Sequence, residues 1–124
     1  MKNILFIATG GAVGALLRYW MSGGIYALLG REFPYGTLTV NVTGSVLIGI
    51  CYVFLFERME IGPELRAGLM IGVLGAFTTF STFSIETFHL IEAGQQFKAV
   101  MNIVLSVVLC VVGCWLGIAA AREF

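Results

Sequence analysis

Residues 72–86 read Gly-Val-Leu-Gly-Ala-Phe-Thr-Thr-Phe-Ser-Thr-Phe-Ser-Ile-Glu. Three threonines, two serines and three phenylalanines thus fall inside one long apolar stretch. Hydroxyls donate hydrogen bonds, and aromatic ring edges carry partial positive charge. Phe77, Phe80 and Phe83 recur every third residue, with Ser81, Thr82 and Ser84 among them. Alone, such a stripe reads as core or lipid-facing surface; interleaved with hydroxyls, it can replace part of the hydration shell of a small, hard anion. Loose backbone groups at membrane depth are tolerated only when buried in protein or lining a wet cavity. The segment therefore reads as a permeation path for a small ion.

Other polar residues extend this chemistry. Asn41 lies in Gly36-Thr37-Leu38-Thr39-Val40-Asn41-Val42-Thr43-Gly44. Its amide either bonds a neighbouring helix or donates to an anion without the trapping strength of a full charge. Arg18, the one strong cation well inside a span, either snorkels to the interface or raises local anion concentration at a pore vestibule. Glu86 reads as a protonated or paired packing acid, or a gate. Asn102, Ser106 and Cys110 lie four apart, a thin polar stripe on one helix face. His89 has no second His or Cys nearby, which argues against a metal site of that kind. No Ser-His-Asp, Cys-His or paired-carboxylate set offers an enzymatic centre.

The elements that must position these residues are membrane helices. Of 124 residues 59% are hydrophobic and 11% charged, with a mean hydropathy of +0.97. A soluble domain of that composition would expose large apolar patches. The pattern predicts one all-α domain over residues 1–124, with spans at about 3–29, 36–56, 65–91 and 97–121. Lys2 and the apolar run after it resemble a signal peptide, but with no convincing cleavage site the segment reads as a retained first span. Pro34 and Pro63 precede the second and third spans, where proline helps start a helix. Zero net charge leaves no electrostatic footprint for nucleic acid. Cys51, Cys110 and Cys114, odd in number and in apolar segments, read as buried free thiols. Gly10, Gly11, Gly14 and Ala15 form a small-residue face that lets helices approach closely.

The third span is the candidate for a break, because Gly72, Gly75 and the β-branched pair Thr78-Thr79 weaken regular helix. Freed carbonyls and amides there need an ion or partner. Four spans put Lys2, Arg58, Arg66 and Arg122 on one side, with Arg31, Lys98 and Arg18 toward the other. Four cations against three barely select an orientation. The balance fits insertion both ways, or a weak bias set by the translocation machinery.

Three motifs resemble those of the Fluc/CrcB fluoride channel family. They are Gly10-Gly11-x-x-Gly14-Ala15-x-x-Arg18-Tyr19, Gly36-Thr37-Leu38-x-Val40-Asn41-x-x-Gly44 and Gly75-x-x-Thr78-Thr79-Phe80-Ser81-Thr82-Phe83-Ser84-x-Glu86. The resemblance implies an antiparallel, dual-topology homodimer in the cell inner membrane, with two fluoride pores. It also implies a structural sodium ion at the dimer interface, held by the main-chain carbonyls of Gly75 and Thr78. Phe80 and Phe83 would be the pore aromatics, Asn41 a donor near the pore, and Ser81 and Thr82 its hydroxyl environment. Many relatives place Tyr and Ser along a polar track where this chain has Asn102, Ser106 and Cys110. The implied activity is passive release of cytoplasmic fluoride, which lowers its toxicity. A small multidrug-type proton-coupled exporter is the rival, but it wants an acid early in the chain, where the first span offers Arg18. A non-transporting scaffold subunit is the other alternative.

Overall fold

A computed structural model describes residues 1–58 and 60–124; Met59, in the expected second loop, lies outside the described residues. Among those residues all regular structure is helical. Four segments are long and apolar enough to cross a bilayer: Lys2–Leu29, Tyr35–Arg58, Pro63–Glu92 and Gln96–Arg122. Each has 24–30 residues, more than a straight crossing needs, so tilt is expected.

Their ends follow from local chemistry. The first helix stops at Gly30, whose φ of +82° with an extended ψ suits only glycine. Pro34 sits immediately before Tyr35, and Pro63 occupies the first helical position after the extended Gly62. The third span ends through Gly94 at φ +78°, with the Gly94 amide bonding the Ile91 carbonyl at 3.1 Å. Val53–Arg58 and Gly68–Leu74 are wound more widely, as π-helix.

Glycines bring the spans together in two close pairs. A Cβ on Gly10 would strike the Gly68 carbonyl, and one on Gly14 the Val73 carbonyl. The small-residue face of the first helix therefore lies backbone to backbone against the start of the third span. Gly11, in the same run, faces open space and takes no part. A second pair joins the second and fourth helices, where Gly49 abuts the Cys114 carbonyl and Gly117 the Val46 carbonyl. Arg122 tethers the ends of this pair through Glu57 at 2.6 Å.

The interior of one chain is thin. Val40 and Val53 are fully buried, with Leu74, Phe77 and Phe83 nearly so. Only 11–28% of each crossing is buried inside the chain, so large aliphatic side chains face outward, as lipid-facing surfaces do.

Candidate permeation site

The centre of the site is a two-residue stretch of extended backbone. Helix runs through Phe77, Thr78 and Thr79 are extended, and helix resumes over Phe80–Glu92. Thr79 serves as the N-cap: its Oγ1 accepts the Thr82 amide at 3.2 Å and donates to the Thr82 hydroxyl at 2.9 Å. Asn41 reaches across from the second helix and clasps the same residue. Its Nδ2 donates to the Thr79 carbonyl at 2.9 Å, and its Oδ1 accepts the Thr79 amide at 2.8 Å. One Nδ2 hydrogen of Asn41 stays uncommitted in this arrangement.

These bonds redirect two donors. In continuous helix the Thr79 amide would bond Gly75 and the Thr82 amide would bond Thr78. Here the first goes to Asn41 and the second to the Thr79 hydroxyl. The carbonyls of Gly75 and Thr78 thus lose their helical donors. Both are neutral oxygens, and Gly75 is exposed on the surface of the single chain.

A cavity of about 370 Å³ opens beside this stretch, lined among others by Asn41, Thr79, Phe80, Phe83, Ser106 and Cys110. The Phe80 and Phe83 rings stand 5.2 Å apart at 43°, a tilted pair. Phe83 is buried, while Phe80 is 77% exposed on one chain. Phe77 is buried and does not line this cavity, although its ring approaches Gly44, which does. The aromatic stripe therefore divides into one core residue and two cavity residues.

Thr82 looks elsewhere. It shares a smaller cavity, about 200 Å³, with Arg18, Ser22, Thr37 and Thr79. Ser81 lies exposed and lines neither space. The structure thus brings Asn41, Phe80, Phe83 and Ser106 together, sets Arg18 with Thr82 on the other side of Thr79, and leaves Ser81 and Gly75 facing outward.

Several contributors escaped the sequence reading. Tyr26 donates its hydroxyl to Glu86 Oε2 at 2.7 Å and stands 3.5 Å from the Thr37 hydroxyl. Glu86 Oε1 is buried without a hydrogen-bond partner, at the edge of a cavity of about 600 Å³ shared with Arg31, His89 and Lys98. Thr87 is buried and bonded to Asn102 at 2.8 Å. Its signal was the spacing alone, four residues beyond Phe83 on the same helix face. No cluster of three or more His, Cys, Asp or Glu suited to a metal ion occurs among the described residues.

A family profile described as "CrcB-like protein, Camphor Resistance (CrcB)" matches residues 5–118. The chain belongs to the CrcB-like family. A Geobacter sulfurreducens relative named "Fluoride-specific ion channel FluC" is 55% identical over 123 residues, 99% of each chain. Relatives of the same name from Geotalea daltonii and Coxiella burnetii are each 51% identical over 122 residues, 98% of each chain. All three motifs that carry the resemblance lie inside the matched region.

Proposed function

We propose that this chain is a passive, non-enzymatic fluoride channel that lets cytoplasmic fluoride run out of the cell down its electrochemical gradient. The observation that carries this reading is full-length identity of 51–55% to relatives named fluoride-specific channels. The cavity chemistry agrees with it. Fluoride must exchange water for protein donors without being held too long. Phe80 and Phe83 offer ring edges, Asn41 a spare amide hydrogen and Ser106 a hydroxyl, all without net charge. Arg18 in the neighbouring cavity supplies attraction beside the path rather than a trap within it.

The finer assembly belongs to the same proposal. The third span is functionally broken at Thr78-Thr79, and two copies pair antiparallel across that break in the inner membrane. Supporting this, Gly75 and Ser81 are exposed on one chain at membrane depth, where lipid offers no hydrogen bonds, and the Phe80 ring stands exposed beside them. The near balance of cations at the two ends suits dual topology. The freed carbonyls of Gly75 and Thr78 fit a structural sodium ion, because hard cations take oxygen ligands and no anionic side chain is needed. Such an ion, when bound, braces the interface and offsets the cost of anions nearby.

Purified protein in liposomes tests the function. Fluoride should leave loaded vesicles without a proton gradient, with chloride far slower, as read by an ion-selective electrode. Release only under a proton gradient would indicate an exporter, and none at all a scaffold.

A further inference from the structure

From a hydrogen-bond relay behind Ser106 we infer that Asn102 is a positioning residue, an internal acceptor that competes with the permeating anion for the Ser106 proton. The inference rests on the reading of the Phe83–Ser106 cavity as the fluoride path. Ser106 lines that cavity; Asn102, one turn earlier on the fourth helix, does not, and is 1% exposed.

The direction of the relay is fixed from its far end. The Phe83 carbonyl can only accept, and the Thr87 hydroxyl donates to it at 2.8 Å. With its proton committed, Thr87 accepts from the amide of Asn102 at 2.8 Å. That bond orients the side-chain amide, turning its Oδ1 toward Ser106. The Ser106 hydroxyl therefore donates to Asn102, at a long 3.5 Å. Without an ion, Ser106 spends its proton backward and presents lone pairs to the cavity, the wrong polarity for an anion.

An arriving anion must draw that proton around. The bond it displaces is near the outer limit for a hydrogen bond, so the exchange is cheap. Asn102 thereby loosens anion binding at Ser106 and gives the hydroxyl somewhere to return when the ion departs. A channel needs this balance, since tight sites empty slowly. Thr87 keeps Asn102 from flipping, and so holds the polarity of the relay.

Single-channel current measured against fluoride concentration in planar bilayers tests this. Asn102→Leu removes the competing acceptor. Thr87→Val, nearly equal in shape, releases Asn102 to flip and offer its NH₂ to Ser106, freeing the serine proton for the cavity. Both variants should lower the half-saturating fluoride concentration roughly threefold or more and reduce the maximal current. In a Ser106→Ala background neither should shift half-saturation. A merely structural role would reduce channel number or current without tightening half-saturation. If Ser106→Ala alters saturation but neither Asn102→Leu nor Thr87→Val lowers it, the competition is overturned. If Ser106→Ala itself changes nothing, the cavity is not the path and both readings fall.

Discussion

Asn41 holds Thr79 by both amide atoms, so its chemistry is first that of a clasp on irregular backbone. Asn41→Leu orphans one amide and one carbonyl, at about 1–3 kcal/mol for each buried group. Asn41→Asp is the sharper test. It keeps the acceptor for the Thr79 amide but sets a second acceptor against the Thr79 carbonyl. Protonation restores a donor there, so the Asp variant should be more stable at pH 5 than at pH 8, relative to the parent protein, by thermal unfolding in detergent. Equal deficits at both pH values would remove the two-sided clasp. For Phe80, whose ring is largely exposed on one chain, Phe80→Ile should leave folding intact. Fluoride current should fall roughly tenfold, about 1.4 kcal/mol of ring-edge stabilisation. The distinction between Phe80 and Phe77 was not legible beforehand. Spacing places both on one stripe, while their surroundings depend on how the helix is rotated against Gly44.

At the scale of elements, hydropathy made four crossings readable because few charges interrupt them and proline or glycine sits between them. The i,i+4 spacing of Gly10 and Gly14 likewise marked a contact face. Which glycines of that run touch another backbone was not readable, since Gly11 is equally small yet open. Cross-helix partners such as Asn41–Thr79 and Tyr26–Glu86 were hidden for the same reason. They join residues 38 and 60 apart, and rest on the rotation of each helix, which composition does not fix. The glycine contacts give a graded prediction. Gly14→Ala puts a methyl group on the Val73 carbonyl and should cost about 1–3 kcal/mol, by the general cost of overpacking. Gly24→Ala, with open space around it, should be neutral or slightly stabilising. Thermal unfolding of both variants in the same detergent checks the contrast; equal losses would show that backbone proximity at Gly14 does not hold the first helix to the third span.

For the whole molecule, the outward-facing polar residues of the third span and the near balance of terminal charges meet in one requirement. Gly75 and Ser81 lie exposed on a single chain, in the middle of a crossing, where hydrocarbon cannot satisfy them. In the proposed antiparallel pair, a second copy in the opposite orientation covers such a face while presenting its own, which calls for both insertion directions to be populated. The loop before the fourth helix reports on this. Gln95 is exposed there, and Gln95→Cys gives a thiol reachable by a membrane-impermeant reagent from one side only. With Cys51, Cys110 and Cys114 replaced to silence other thiols, about half of the chains in intact cells should label from outside. Permeabilised cells should label completely. Labelling of all chains or none from outside would mean one orientation, and the exposed polar face would then need a cover other than an inverted copy.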